Sequence, residues 1–512
     1  MAFNTVKRSL VNLVGDEFVR ASCRAREAIT GEPAEKLFDI ASKPIDFYPV
    51  AMQRKLAQRL DLTGKRICEG LNGSASGAST KSYNAATTTA AAPLSGFGYY
   101  RIGEDGRQYL LSKSEHYHAP LGHSFPGYKL LDAARKLGIP NATHNNTRGH
   151  ITRLLEMELI RTANGIAKDD AETLKALIAS NSPGSLNRVL NLETGSLAVE
   201  AALKMILARF YRSESRFDAP KYAGKTPVIL VIGSNDGETR QANYHGTTML
   251  TQTLRGMWPE LSDMMEKAGI LIVRAVRPNR IEDIESAIRE YETDKTKIAG
   301  FFHEIVMMNY GGLLLTPDYL RTAYQLCADH DIATVDDEIQ SCMWHHEMYM
   351  FREWGLKPNF VAIGKGFPGG EYAASKLLFS SEFDSLPQFG ALVTNGQEEL
   401  ASLTYLITME WAAANADKTR AVGDDFEKKC HRLQKQHKDK ISGVQGKRHL
   451  IALEFRKIDE AVTFAKAVGD SGCDISVHTY KAACPPAALL KLPLTADKAV
   501  VDFVIQRMSE VL

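Results

Sequence analysis

Five short apolar runs constrain this chain more than any other feature: "VILVIG" (228–233), "ILIVRAV" (270–276), "IAGFFHEIV" (298–306), "IATVDDEI" (332–339) and "FVAIGKG" (360–366). Rich in branched residues and without a polar face, they read as strands buried on both sides. Helical patterns separate them, among them "IEDIESAIREYE" and "TPDYLRTAYQLCADH", where Thr316 suits an N-cap and Pro317 the first helical position. Alternation of this kind commits the segment to an α/β arrangement, a mostly parallel sheet covered by helices. Ligands of such sheets collect at the carboxyl ends of the strands. Lys365 and Asp337 both stand at such ends, a strand, a helix and a return strand apart.

Composition narrows the partners. The chain has 512 residues, with 62 lysines and arginines against 61 aspartates and glutamates. Length implies about two to four domain-sized units, and the balanced charge gives no electrostatic reason to expect nucleic acid or a membrane surface. Seven scattered cysteines, never spaced as CxxC, suit a reducing compartment better than disulfides or zinc, and no metal is expected. No apolar run approaches the roughly 20 residues of a membrane span. The N-terminal "MAFNTVKRSLVNLVGDEF" places Lys7 and Arg8 before a weakly apolar stretch that Asp16 and Glu17 interrupt, so cytoplasm is the expectation, with mitochondrial targeting as the alternative. Residues 73–96 are small and polar, read either as a flexible loop or as one ordered against a ligand or partner subunit. No internal repeat is visible.

The stretch "FVAIGKGFPGG" (360–370) ends a strand in a lysine between two glycines. Burial lowers a lysine's pKa, and a neutral amine condenses with an aldehyde; a turn lysine with its amine in water is the alternative. A phosphate-binding P-loop is excluded, because the first glycine of GxxxxGK[ST] and the hydroxyl after the lysine are missing. Asp337 could face the ring nitrogen of a pyridine-type cofactor, keeping the ring protonated as an electron sink, or serve as a salt-bridged or capping acid. Gly195 and Ser196 precede a long helical pattern carrying Glu200 and Lys204 at a favourable spacing. They suit a phosphate at a helix start, or merely cap it. Tyr244, in "NYHGTTM", could stack on a flat ring, and His245 beside it reads as a hydrogen-bonding structural histidine or a base.

The order of these pieces resembles the class III aminotransferases, fold type I pyridoxal-phosphate enzymes that include ornithine and 4-aminobutyrate aminotransferases. The resemblance runs from about residue 99 through "YRIGEDGRQYL", "PLGHSFPG", "TGSLAVEAALK", "YHGTT", "HEIVMMNYGGLLLTPDYL", "DDEIQS", "KPNFVAIGKGFPGG" and "LVTNGQEELA". It implies pyridoxal 5'-phosphate held by Lys365 as a Schiff base, Asp337 at the ring nitrogen and Gln340 near the phenolic oxygen. It further implies Gly195 and Ser196 at the phosphate, Tyr244 on the ring, Thr394 reaching the phosphate of a neighbouring subunit, and Glu304 on the substrate side. A homodimer with interfacial active sites follows. Also implied are a large cofactor domain (116–395) with a mostly parallel central sheet and a smaller α+β domain (396–512), to which an N-terminal segment (1–115) contributes.

The chain departs from the family pattern in three places. Leu197 stands where a glutamate is usual, and "SCMWHHEMYMF" replaces the usual continuation, making Trp344, His345 and His346 an unusual wall. Lys491 replaces an arginine that clamps substrate carboxylate, and a lysine cannot reproduce a planar fork. The expected function is ping-pong transfer of an amino group between an amine or amino acid and an oxo acid. The alternatives are a racemase, epimerase, aminomutase or decarboxylase using the same cofactor, or a binding protein that keeps the fold without turnover.

Overall fold

All five apolar runs form strands in the computed structural model, which describes residues 3–479 and 484–512; Met1 and Ala2 of the N-terminal stretch lie outside the described residues. The central sheet contains β1 (Leu186–Leu192), β2 (Thr226–Ile232), β3 (Ile272–Val276), β4 (Thr296–His303), β5 (Ala333–Asp337), β6 (Phe360–Ile363) and β7 (Ser375–Ser380). Its spatial order is β1-β7-β6-β5-β4-β2-β3. Every neighbouring pair is parallel except those made by β7, which runs against both β6 and β1.

Successive residues of each strand face opposite sides, so each side acquires its own core. Ile229, Val231, Phe302, Phe360 and Ala362 pack with the helix α1 (Gly195–Leu207) on one side. Val228, Leu230, Phe301, Val361 and Ile363 pack on the other, with α2 (Pro317–Asp329) and α3 (Glu399–Ala414). Thr316 caps α2 through its side chain, and Pro317 begins it. Strands β1 and β7 escape the apolar pattern because polar residues interrupt them and are satisfied inside. Asn191 donates to Glu156 at 2.6 Å, and the fully buried Lys376 donates to the Gly396 carbonyl at 2.5 Å.

A second, antiparallel sheet has β8 (Ile441–Lys447), β9 (Leu450–Phe455), β10 (Ser476–Val477) and β11 (Ala487–Lys491) in the order β8-β9-β11-β10, with a terminal helix at Lys498–Val511. A three-stranded sheet within Pro93–Leu110 joins this unit, with Leu110 N–H donating to Gly472 at 2.8 Å and Asp474 N–H to Leu110 at 3.1 Å. The first residues instead pack on α3: Asn4 N–H donates to Asn415 at 2.7 Å, Arg8 Nε to Glu410 at 2.6 Å, and the Phe3 ring lies 5.5 Å from that of Trp411. Residues 71–90 are exposed throughout, with a short helix, Lys81–Ala86, capped by Thr80.

One ion-pair network ties the two sheets together. Arg448, in the β8–β9 turn, donates to both oxygens of Glu353 at 2.7 Å and from Nε to Asp424 at 2.9 Å, while His345 bonds the same glutamate. The Arg448 bond, opposed by burial and reinforced by His345, holds the Glu353 carboxyl well below the usual range. A depressed acid stabilises the fold above its unfolded value of about 4.5 and loses that contribution as pH falls toward the folded one. Arg448→Met should therefore cost about 3 kcal/mol near neutrality. Urea midpoints should show its gap from wild type narrowing as pH drops below about 4.

Candidate active site

The carboxyl edge of the central sheet opens into a cavity of about 500 Å³, within the range of small-molecule sites. Its wall brings together Lys365, Asp337, Gln340, Gly195, Ser196 and Tyr244, all singled out from the sequence. Topology explains the gathering. The ends of β1, β5 and β6 deliver Glu193–Ser196, Asp337–Gln340 and Lys365, the connection after β2 delivers Tyr244–Gly246, and the reversed β7 presents its beginning, Ala373–Ser375, to the same edge.

Lys365 follows β6 with φ +34°, a left-handed conformation for a side-chain-bearing residue. Its flanking glycines are required by space: a Cβ on Gly364 would lie 2.3 Å from Ser375 Oγ, and one on Gly366 2.4 Å from the Trp344 ring. Burial lowers the pKa of the amine, against the opposing pull of Asp337 and Glu304.

Asp337 is 4 % exposed. One oxygen accepts from Ile339 N–H at 3.1 Å and the other lies 3.1 Å from Nδ1 of the fully buried His245. His245 acts as a brace for Asp337. The acids on either side are also buried. Burial raises the Asp336 carboxyl well above its ordinary value and Glu338 to about 7, although Glu338 also accepts from Met350 and Phe351 N–H at 3.0 and 2.9 Å. Tyr244 is fixed by its N–H donating to Glu304 Oε1 at 3.1 Å and by the Arg255 guanidinium 4.4 Å from its ring centroid.

The 13-residue helix α1 points its N-terminus at the cavity, where aligned N–H groups favour an anion. Thr194 caps it, accepting from Ser196 N–H at 3.1 Å, and Ser196 Oγ accepts from Thr247 N–H at 3.1 Å. The expected Glu200–Lys204 pairing is replaced: Glu200 accepts from Thr248 Oγ1 at 2.8 Å and Lys204 donates to the Gly390 carbonyl at 3.1 Å.

Other anticipated residues stand off the cavity wall. Glu304 is buried beside Tyr244. Thr394 is exposed, its carbonyl accepting from Gln397 Nε2. Lys491 is fully buried, with Nζ donating to the Gln340 carbonyl. Trp344, His345 and His346 do not form a wall of this cavity. Trp344 donates to the Leu492 carbonyl at 3.0 Å. His345, His346 and Glu347 bring ligand-type atoms within 4.8 Å of one another. Even so, His345 Nδ1 already accepts from Glu347 N–H at 3.1 Å and its Nε2 engages Glu353, which Arg448 also holds. The sequence reading does not single out His118, Tyr372 or Ser375, all on the wall; the signal at hand is the Ser375–Lys376 pair inside an otherwise apolar strand pattern.

Gly366→Ala drives a methyl group into a packed indole and should cost about 1–3 kcal/mol, read as a lower thermal midpoint of the purified protein. Ala at Gly355, where no atom lies within 4 Å of the added Cβ but φ is +68°, is the control for backbone strain alone.

A model of the aminotransferase class III family matches residues 82–512. Ornithine aminotransferase of Emericella nidulans is 29% identical over 196 residues, 37% of this chain and 40% of that protein, so the chain spans less than half of that relative's length. Acetylornithine aminotransferase of Aquifex aeolicus is 23% identical over 420 residues, 81% of this chain and 96% of that one. Among solved structures, the fold is similar to ornithine aminotransferase from Toxoplasma gondii, a structure described as showing partial occupancy of PLP at the active site. The TM-score is 0.62 at 18% identity, covering 82% of this chain and 88% of that one.

Proposed function

This chain belongs to the class III aminotransferases, and from that premise we propose that it binds pyridoxal 5'-phosphate and moves an amino group between an amine or amino acid and an oxo acid by a ping-pong mechanism. One observation carries the reading: a half-buried lysine whose amine is shifted down by desolvation and a buried, braced aspartate line one cavity with a helix N-terminus. The residues fit the cofactor, because Gln340 Oε1 is a buried acceptor on that wall without a hydrogen-bond partner among the described residues. When bound, pyridoxal phosphate supplies an aldehyde that takes up an amine and a ring that accepts the electron pair left when a bond at the substrate α-carbon breaks.

The chain's own residues divide the remaining work. Lys365 would hold the cofactor aldehyde through its Nζ, and its amine, whose pKa burial lowers, would serve as the base for the α-carbon proton. Asp337, oriented by His245 and Ile339, keeps a proton on the ring nitrogen. Gln340 serves the phenolic oxygen, Tyr244 stacks on the ring, Gly195 and Ser196 hold the phosphate, and Glu304 steadies the substrate side through Tyr244. Exposed Thr394 supports a homodimer in which it reaches the phosphate of a second copy. No helix among the described residues is long and apolar enough to cross a membrane, and the seven free cysteines support a cytoplasmic protein.

Borohydride reduction followed by peptide mass spectrometry should place a pyridoxyl label on Lys365, and Lys365→Ala should take up none. With an amine donor and no acceptor, the protein should release one equivalent of oxo product per site. Exchange of the α-hydrogen with no oxo product would replace transamination with racemisation.

A further inference from the structure

Lys491 ends β11 in the smaller sheet, yet its amine reaches the segment of the larger one that carries Gln340, behind the cavity wall. The side chain is 0 % exposed. Nζ donates to the Gln340 carbonyl and lies 3.8 Å from the Trp344 ring centroid and 4.4 Å from that of Tyr117. The backbone around it is equally committed: Lys491 N–H donates to Ser112 at 2.7 Å, Ser114 Oγ donates to the Lys491 carbonyl at 2.7 Å, and Trp344 Nε1 donates to Leu492. The Tyr117 ring also faces the Lys365 amine, whose Nζ is 5.5 Å from its centroid. One aromatic ring thus lies within 5.5 Å of both amines.

That ring is set in place by an unusual backbone. Ser114, Glu115, His116 and Tyr117 have φ of 49°, 48°, 55° and 76°, four consecutive left-handed residues with side chains. Such a turn persists only where its surroundings over-determine it, and here the Ser114 bond to Lys491 and the full burial of Tyr117 beside that amine do so.

Resting on the aminotransferase reading, we propose that Lys491 is a positioning residue, which braces the Gln340 segment and Tyr117 against the cofactor and does not bind substrate carboxylate. Its amine already donates to Gln340, is covered by two rings, is wholly buried and stands outside the cavity lining, away from where a substrate carboxylate would lie. Burial, aided by the neighbouring Lys365, lowers its pKa well below the ordinary value, and a neutral amine still donates the hydrogen bond that the Gln340 carbonyl accepts.

Lys491→Met keeps the stem and removes the donor. The dissociation constant of pyridoxal phosphate from the apoprotein should rise roughly tenfold, and the absorption band of the bound cofactor should shift. KM for an α-amino acid and for the corresponding amine without the carboxylate should change by the same factor. A selective rise in KM for the amino acid of about 100-fold, with cofactor affinity and spectrum unchanged, would overturn the proposal. Should the variant fail to fold, Ser114→Ala, which removes the bond joining Lys491 to the Tyr117 turn, decides the matter. Weakened cofactor binding without carboxylate discrimination supports the brace, and unchanged cofactor binding sinks it. If wild-type protein takes up pyridoxal phosphate at no residue and releases no oxo product, the functional reading itself fails instead.

Discussion

An amine and a carboxylate withdrawn from water at adjoining strand ends set the terms for everything near them. Charges in such a place are tolerated only when bonds and opposite charges compensate for lost solvation. Asp337 obtains that compensation from His245 and a backbone N–H, and Lys365 feels both Asp337 and Glu304. Asp336 and Glu338, whose carboxyls burial pushes up, hold protons more readily.

The smaller sheet is bound to this arrangement at several points. Lys491 reaches the Gln340 carbonyl, Trp344 reaches Leu492, and Arg448 grips Glu353. All of these partners on the larger unit lie in the segment after Asp337 or in the short helix, Met350–Glu353, that closes it. Motion of the smaller unit therefore has a direct mechanical route to the cofactor wall through residues 338–353.

Legibility from sequence followed chemistry closely. Strands buried on both faces announce themselves through unbroken apolar runs, so β2 to β6 were visible, while β1 and β7 were hidden by Asn191 and Lys376, whose partners come from distant segments. Lys365, Asp337, Gly195, Ser196 and Tyr244 were recognisable because each stands at or after a strand end, where such sheets bind ligands. Gln340, Glu304 and Thr394 rested on resemblance to a family. The withdrawal of Lys491 from the cavity could not be read, since its partner is 151 residues away in sequence and the turn that completes its enclosure has a backbone no propensity favours.

A reversed strand contributes its start, not its finish, to the rim where the reactive groups gather. As a result, the lysine and the opposing boundary formed by Pro368, Tyr372 and Ser375 are linked by one uninterrupted connection of a few residues. Reshaping that boundary to admit a bulkier molecule pulls on the very residue that must remain aligned, so changes of selectivity introduced there carry a built-in penalty in reactivity. His118, which comes from elsewhere in the chain, is not tied to the lysine by that connection.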